Sequence, residues 1–309
     1  MSELEMGNMT IPTVPQLAYQ PQEVESELPT MDLQTYPLLS QREIARLLLQ
    51  HRLLSELLGG PLPPMLDISR IHQVLDVACG IGCWDHEMAL RYPTMQLTGI
   101  DKNPASIMQA QAFMNEVRNV TLMVQDILTL DRGPFVPASF DLIHIRFIEA
   151  DIYFQDFARL VYTLARLGRP ESFLVWRESE LPLTSGNACD QLEALLLSAM
   201  QKAGRAFAPG ISLSMGIAAW MRYWMRLAGY RILQEKADFI DISYGRKTHE
   251  AFYEQAVAFC EQARPFLLKT GVITAPDYEE LFKQVQQEMQ EAMFCGVWPI
   301  RTLIGVKQA

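Results

Sequence analysis

A short run of the chain, VLDVACGIGCW at residues 74–84, combines an acid with glycines at a regular spacing. Asp76 is followed by Ala78, Gly80 and Gly82 at alternate positions. A carboxylate can pair with a cation, and glycine lets backbone N–H groups approach a bound molecule because it lacks Cβ and adopts positive φ angles. The run therefore has the residue types for binding a small charged molecule at a tight turn.

A similar spacing occurs in dinucleotide-binding turns, which place a third glycine three positions after the second. That position is Asp85 here. Its carboxylate would repel a pyrophosphate at the N-terminus of a helix. The sequence therefore argues against a nicotinamide or flavin dinucleotide site.

Two further acids follow apolar segments that are typical of strands. Asp101 ends the segment at 97–101, and Asp126 follows the segment at 120–124. An acid in the first position can accept hydrogen bonds from both hydroxyls of a ribose. A single acid after a strand is often only a helix cap, so the binding hypothesis rests on the register of all three acids with the glycine turn.

These residues need a framework of alternating strands and helices. The pattern predicts strands at 74–78, 96–100, 120–124, 140–145 and 172–176, with helices at 84–92, 104–117 and 153–167. Near-continuous apolar strands alternating with helices are typical of a parallel sheet covered on both faces. Further helices at 190–203, 217–227, 248–268 and 276–293 surround strands near 231–239 and 300–306. We therefore predict an α/β fold: a doubly wound, mostly parallel seven-stranded sheet with an N-terminal helix and helical lid insertions.

Four regions follow from this pattern. Residues 1–38 are an acidic, proline-containing tail with six acids and no Lys or Arg, 39–70 a helix and linker, 71–182 the core, and 183–309 the helical lid with the last two strands. The formal net charge of the chain is −10, but residues 39–309 carry 30 acids against 26 bases. With no basic patch, the chain is not expected to bind nucleic acid.

Other classes are also disfavoured. No uncharged apolar run approaches the ~20 residues that a membrane span needs. The first residues lack the basic and apolar regions of a secretory signal. The five cysteines are scattered, and Cys79 and Cys83 have no second close pair to complete a zinc site. We expect a cytoplasmic protein without a metal or a membrane partner, and a homodimer is compatible with the sequence.

The acid and glycine turn, with the acids after the next two strands, resembles the class I (Rossmann-like) S-adenosylmethionine (SAM)-dependent methyltransferases, of the type that acts on small molecules. Ala78 replaces the usual first glycine of their first motif. The resemblance implies SAM as the cofactor. It also implies that an N-terminal helix at 39–60 lies over the cofactor, with Arg46 and Gln50 on one face.

Carried over residue by residue, the resemblance assigns Asp101 to the ribose hydroxyls and Asp126 to the adenine amino group. The full set of implied cofactor-binding residues is Asp76, Ala78, Gly80, Gly82, Asp101, Lys102, Asn103, Asp126, Ile127 and Ile145.

Candidate catalytic residues lie after the fourth and fifth strands. The family places residues between cofactor and substrate near Arg146, and Glu178 leaves the fifth strand at the same edge. We predict Glu178 as an acid–base or substrate-orienting residue, with a plain surface carboxylate as the alternative. A base is needed only if the nucleophile carries a proton, because the sulfonium is already a strong electrophile. His144 is expected to be a satisfied core histidine.

The substrate pocket is predicted from aromatic residues. Trp220 and Tyr223 lie at helical spacing and would wall an apolar pocket together with Arg146 and Glu178, with core packing as the alternative. The lid helices carry six more aromatic residues: Phe252, Tyr253, Phe259, Phe266, Phe294 and Trp298. A lid that encloses its site suits a small molecule.

The sequence therefore predicts transfer of a methyl group to a small, mainly apolar or aromatic metabolite by in-line displacement at the sulfonium, in specialised metabolism. Two alternatives remain. One is a non-catalytic SAM-binding protein that acts as a partner or regulator. The other is a methyltransferase of a carboxylate or diphosphate held by Arg222 and Arg226 with Arg205 and Arg231, although arginines on a helix surface are usually solvated.

Overall fold

The computed structural model describes residues 40–148, 152–207 and 214–308. The predicted tail at 1–38 lies outside these residues. The helices are α1 (Gln41–Leu58), α2 (Cys83–Arg91), α3 (Pro104–Phe113), α4 (Phe157–Leu167), α5 (Asn187–Lys202), α6 (Ile217–Leu227), α7 (His249–Lys269) and α8 (Ala275–Met289). The strands are β1 (Gln73–Val77), β2 (Gln96–Asp101), β3 (Val120–Val124), β4 (Phe140–Arg146), β5 (Gly168–Ser179), β6 (Leu183–Thr184), β7 (Tyr230–Asp241) and β8 (Gly296–Lys307).

The strands form one sheet in the order β3-β2-β1-β4-β5-β8-β6, with β7 also paired to β8. Strands β1 to β5 are parallel, whereas β8 runs antiparallel to each of its partners. This confirms the predicted mostly parallel α/β sheet and all seven predicted strands. The short β6 is an addition, and its two residues are too few to leave a periodic signal.

Alternate residues of the strands pack on opposite faces of the sheet. On β1, Val74 belongs to a cluster with Trp84 and Met88 of α2. Its neighbour Leu75 belongs to the cluster on the other face, with Leu160 of α4. The sheet is therefore buried between two helical layers, which explains why its strands are apolar throughout.

Local sequence sets most helix ends. The Ser40 side chain accepts a hydrogen bond from Glu43 N–H at the start of α1, and Gly59 ends this helix in the left-handed region with φ +86°. The Asn103 side chain caps α3, where Pro104 occupies the first turn. Thr274 caps α8 in the same way. Helix α3 ends at Phe113, four residues before the predicted end, and α4 begins at Phe157, four residues after its predicted start, so both termini are predicted only to within a few residues.

A third apolar cluster lies outside the two faces of the core sheet. It is formed mainly by α5, α7 and α8, and Leu54 of α1 packs in the same cluster. The N-terminal helix is thus held by the C-terminal helical region.

Among residues 40–148, 152–207 and 214–308, no helix combines the length and the apolar composition that crossing a bilayer requires.

The strand order reverses at β1, which lies between β2 and β4. In an open parallel sheet, ligands bind outside the carboxyl ends of the strands at such a switch point. The turn that follows β1 is therefore the first place to examine for a site.

Candidate active site

The turn between β1 and α2 has three residues in the left-handed backbone region. Their φ angles are +59° for Ala78, +56° for Gly80 and +71° for Gly82. A Cβ atom at Gly80 would meet nothing within 4 Å, whereas one at Gly82 would lie 2.3 Å from Met114 Cε. Gly80 therefore leaves open space for a ligand, and Gly82 allows the turn to pack closely on the residue after α3.

The N-terminus of α2 adjoins this turn. Gly82 is its N-cap residue, and no side chain caps the first N–H groups. Free N–H groups at a helix N-terminus and the helix dipole both favour a bound anion. The turn thus offers a site for a carboxylate.

The acid after β2 is hydrogen-bonded to the glycine turn. Gly80 N–H donates to Asp101 Oδ2 at 2.9 Å, and Asn103 N–H donates to Oδ1 at 2.8 Å. Lys102 is half-buried beside it. The structure therefore brings Asp101, Lys102 and Asn103 to the turn, while the Asn103 side chain also caps α3.

Asp126, the acid after β3, acts as a helix cap, which is the structural alternative to ligand binding given above for such acids. Leu128 N–H donates to Asp126 Oδ1 at 2.8 Å and starts the 3-10 turn Ile127–Arg132. Ile127 and Ile145 are buried in the same apolar cluster. These residues lie where the resemblance expects an adenine site, and their contact with the cofactor stays a prediction.

Asp76 is buried on β1, and its partner in the β-sheet register is His144 of β4. His144 Nδ1 lies 2.6 Å from Asp76 Oδ1, and the imidazole stacks on Trp84 with ring centroids 3.9 Å apart. Burial lowers the pKa of His144 well below its ordinary value, so the ring is neutral. His144 is therefore a core histidine as expected, and its Nδ1 contacts the first acid of the turn, but its buried Nε2 meets no hydrogen-bond partner among the described residues.

A second carboxyl is buried beside Asp76. Asp85 is completely buried, and neither of its oxygens meets a hydrogen-bond donor of the described chain in suitable geometry. Burial raises the pKa of Asp85 well above its ordinary value, and the charge of Asp76 raises it further. Burial also raises the pKa of Asp76. The two carboxyls can share one proton, which removes the cost of two buried charges.

Polar side chains connect α1 with the end of β4. His51 Nε2 lies 2.9 Å from Glu87 Oε2, and Ser55 Oγ donates to the same oxygen at 2.8 Å. On its other side, His51 Nδ1 lies 3.4 Å from Arg146 Nη1. Burial lowers the pKa of His51 to about 4, with the Arg146 charge as the next cause. A neutral imidazole on α1 therefore joins the α2 acid to the β4 arginine.

Arg46 and Gln50 of α1 point towards α7 and the helical region. Arg46 Nη1 hydrogen-bonds to Gln255 Oε1, and Gln50 lines a cavity described below. Sequence reasoning did not identify His51, Ser55 or Glu87. The i,i+4 spacing of His51 and Ser55 marks one helix face, but a partner on α2 leaves no local signal.

Glu178 does not lie at a solvent-facing edge. It is completely buried on β5, where Trp176 Nε1 donates to Oε1 at 2.8 Å and Ile148 N–H lies 3.2 Å from both oxygens. These bonds anchor the chain after β4. Glu178 is also not a surface carboxylate, which was the alternative that the sequence left open.

The helix α6 packs against the sheet on a different side from the main cavity. Trp220 is half-buried with its Nε1 donating to Phe207 O at 2.9 Å, and Tyr223 is 43% exposed. Neither residue lines the apolar cavity between the ends of β4 and β5 and the helices α5, α7 and α8, nor do Arg146 and Glu178. The structure thus does not bring the four predicted pocket residues together around it.

The arginines of the anionic-substrate alternative are also dispersed. Arg222 pairs with Glu235 at 2.7 Å on the surface, and Arg226 and Arg231 are exposed. Arg205 is buried with its guanidinium 4.8 Å from the Tyr153 ring centroid. None of the four lines the apolar cavity against α5, α7 and α8.

A cavity of about 390 Å³ lies between the ends of β4 and β5 and the helices α5, α7 and α8. Four of the six predicted lid aromatics line it: Phe252, Phe259, Phe294 and Trp298. Phe147, directly after β4, has φ +57° and packs on Trp298 with ring centroids 5.6 Å apart. A bulky residue in the left-handed region is a true outlier and favours a functional position.

The cavity has the size and the apolar walls of a small-molecule site. Its strand-end wall is formed by Phe147, by Ser179 at the end of β5, and by Glu180 and Leu181 after it. These positions lie at the same edge of the sheet as the glycine turn, because β1, β4 and β5 are parallel. An apolar molecule in the cavity can therefore approach a ligand bound at the turn.

Comparison with known proteins agrees with this geometry. A family model described as a methyltransferase domain matches residues 68–304. Methyltransferase str2 of Strobilurus tenacellus is 35% identical over 106 residues, which cover 34% of this chain and 35% of that protein. Methyltransferase grgD of Penicillium sp. is 30% identical over 151 residues, 44% of this chain and 49% of that protein. The chain therefore matches between a third and a half of the length of these relatives.

A solved structure, phosphoethanolamine N-methyltransferase 2 of Haemonchus contortus in complex with S-adenosyl-L-methionine, has a TM-score of 0.52 at 15% identity. The alignment covers 92% of this chain and 61% of that chain. This similarity shows a shared fold. Since the family model spans most of the chain, the chain belongs to the class I methyltransferases, whose cofactor is SAM.

Proposed function

We propose that this protein transfers the methyl group of SAM to a small, mainly apolar metabolite held in the cavity between the ends of β4 and β5 and the helices α5, α7 and α8. The observation that carries the proposal is the position of this cavity. Its strand-end wall lies at the sheet edge that also carries the glycine turn. We further propose that the reaction belongs to specialised metabolism.

The residues at the turn fit the chemical groups of SAM. Gly80 leaves open space, the uncapped N-terminus of α2 suits a carboxylate, and Asp101 at the end of β2 suits ribose hydroxyls. Asp126 and Ile127 would contact the adenine. The buried Asp76 and Asp85 lie behind the turn and would support it and the α-ammonium group.

Bound SAM supplies an electrophilic methyl group, so the protein has to align the acceptor and exclude water. The apolar walls from Phe147, Phe252 and Trp298 can do both. Arg146 and Glu178 would act as supports, because Arg146 contacts α1 and Glu178 holds the chain after β4. A general base is needed only for an acceptor that carries a proton at neutral pH.

Cofactor binding is tested by calorimetry with S-adenosylhomocysteine. The Asp101→Ala variant should bind at least about ten-fold more weakly, because it loses a charged hydrogen-bond acceptor at the turn. Asp67→Ala is the matched control, since Asp67 also accepts a backbone N–H but lies before the amino end of β1. Absence of saturable binding to the wild type would contradict the proposal.

Catalysis is tested by incubating the protein with SAM labelled in its methyl group and a metabolite extract. A labelled, organic-soluble product that depends on the protein is the expected result. If the protein binds S-adenosylhomocysteine but labels nothing across extracts, the alternative of a non-catalytic SAM-binding partner or regulator is favoured. A labelled product that carries a carboxylate or a diphosphate would favour the other alternative, a methyltransferase of an anionic substrate.

A further inference from the structure

The walls of the cavity contain two ionisable carboxyls, and they differ in their hydrogen bonds. Glu180 accepts hydrogen bonds from Gly216 N–H and Ala218 N–H, both at 3.0 Å, and so caps α6. Glu193 of α5 makes no hydrogen bond or ion pair with any described residue. Glu193 is therefore the carboxyl group of the cavity that is left for a ligand.

The surroundings of Glu193 are apolar. It follows Leu192 and precedes Leu196 by one turn on α5, and both leucines line the same cavity. The thiol of Cys260, on α7, also lines the cavity and lies close enough to feel the charge of Glu193. Glu193 thus belongs to the helical wall of the cavity, whereas Phe147 and Ser179 form the strand-end wall.

This environment changes the protonation of the carboxyl. Burial raises the pKa of Glu193 to about 8, and the charge of Asp190 contributes to the increase. The group is therefore largely neutral near pH 7 and can both donate and accept a hydrogen bond. A carboxyl in an apolar cavity costs free energy unless a ligand or water completes its hydrogen bonds.

We propose that Glu193 is a specificity-determining residue that hydrogen-bonds a hydroxyl group on the helical side of an otherwise apolar acceptor. This inference rests on the proposed function. A hydroxyl matches a neutral carboxyl because each can donate one hydrogen bond and accept another. The acceptor is thus a ring-sized apolar molecule that carries a hydroxyl remote from the atom that receives the methyl group.

The test uses two probes of the same size, 2-naphthol and naphthalene, with saturating S-adenosylhomocysteine. Their affinities are measured by calorimetry or ligand-observed NMR for the wild type, Glu193→Leu and Glu193→Gln. Gln191→Leu is the matched control, since Gln191 is exposed on the same helix and does not line the cavity.

The wild type should prefer 2-naphthol to naphthalene, and Glu193→Leu should reduce that preference about ten-fold, the usual value of one buried hydrogen bond. Glu193→Gln should keep most of the preference because its amide still donates and accepts. Gln191→Leu should leave it unchanged. Glu193→Leu should also raise the melting temperature, since it removes a half-buried carboxyl from an apolar wall, which separates a binding role from a structural one.

An equal preference in the wild type and in Glu193→Leu would overturn the inference. So would absence of binding of both probes to the wild type. If S-adenosylhomocysteine still binds in those cases, the proposed function survives and only the role of Glu193 is lost. If S-adenosylhomocysteine itself does not bind, the proposed function is the part that fails.

Discussion

At the scale of single residues, two residues in and next to the turn after β1 are in energetically unfavourable states. Ala78 adopts a positive φ angle that glycine would adopt without strain. Asp85 is completely buried beside the carboxyl of Asp76, and burial raises the pKa of Asp85 well above its ordinary value. Such strain and burial collect where a site must be shaped for its ligand. Both residues can be tested by substitutions that keep the fold.

The Ala78→Gly substitution should stabilise the protein. Left-handed backbone costs an L-residue roughly 1–2 kcal/mol, and the extra freedom of glycine in the unfolded chain offsets about 0.5–1 kcal/mol. We expect a net gain of about 0.5–1 kcal/mol in the free energy of unfolding, measured with urea. Ala194→Gly in the exposed face of α5 should lose about 1 kcal/mol. Destabilisation by both substitutions would show that Ala78 is not strained.

The Asp85→Asn substitution should change how stability depends on pH. Because burial raises the pKa of Asp85 in the folded protein, the folded state keeps a proton that the unfolded state loses above about pH 4. This carboxyl therefore lowers the stability of the wild type as pH rises. Asp85→Asn should be more stable by on the order of 1 kcal/mol at pH 7–8 and should gain little at pH 4.

The measurement is the free energy of unfolding of both proteins across that pH range. Asp131→Asn, which removes a partly exposed ion pair with Arg159, is the control and should change stability by less than about 0.5 kcal/mol. A stability difference for Asp85→Asn that does not vary with pH would contradict the buried-proton account.

At the scale of secondary-structure elements, α1 is joined to the rest of the site by packing and by polar contacts. It packs on α7 and α2, and its His51 and Ser55 share the carboxylate of Glu87. His51 also reaches Arg146 at the end of β4. Glu87 of α2 thus adds a polar anchor to the packing of α1 on the C-terminal helices.

The Glu87→Ala substitution should loosen α1. It leaves His51 and Ser55 without their common partner, at a cost of about 1–3 kcal/mol. Amide hydrogen exchange in α1 should become about ten-fold faster or more, while exchange in β1 and β4 stays unchanged.

Glu56→Ala on the same helix is the control, because its pair with Lys247 is exposed and contributes little. If exchange in α1 is the same in Glu87→Ala and Glu56→Ala, the buried contact does not hold the helix.

At the scale of the whole molecule, the parallel strands and the helices α5, α7 and α8 meet at one edge of the sheet. The parallel strands bring the turn after β1 and the ends of β4 and β5 to that edge. The helices α5, α7 and α8 enclose the cavity against it. The division into a cofactor side and an acceptor side can be tested by filling the cavity alone.

The Ala256→Trp substitution on α7 should fill part of the cavity. We expect methyl transfer to the extracted acceptor to fall about ten-fold or more, with the affinity for S-adenosylhomocysteine unchanged. Ala194→Trp on the exposed face of α5 is the control and should leave both quantities unchanged. Undiminished transfer by Ala256→Trp would place the acceptor outside this cavity.

The sequence by itself determined the sheet and the turn. The apolar strands, their alternation with helices, and the glycine spacing after Asp76 are local patterns, and periodicity reports such patterns directly. The caps at Asn103 and Thr274 and the stop at Gly59 are equally local. Four of the six lid aromatics line the cavity: Phe252 and Phe259 lie on α7, whereas Phe294 and Trp298 follow α8 in the chain.

Only the tertiary structure decided which distant side chains meet. Glu178 is a buried support because Trp176, two residues earlier on β5, and Ile148, in the chain after β4, both donate hydrogen bonds to its carboxylate. Trp220 and Tyr223 fell outside the cavity because α6 packs on another side of the sheet, and Glu193 entered it because α5 crosses α7 and α8. These outcomes depend on how elements far apart in sequence pack, and a period of 2 or 3.6 residues does not contain that information.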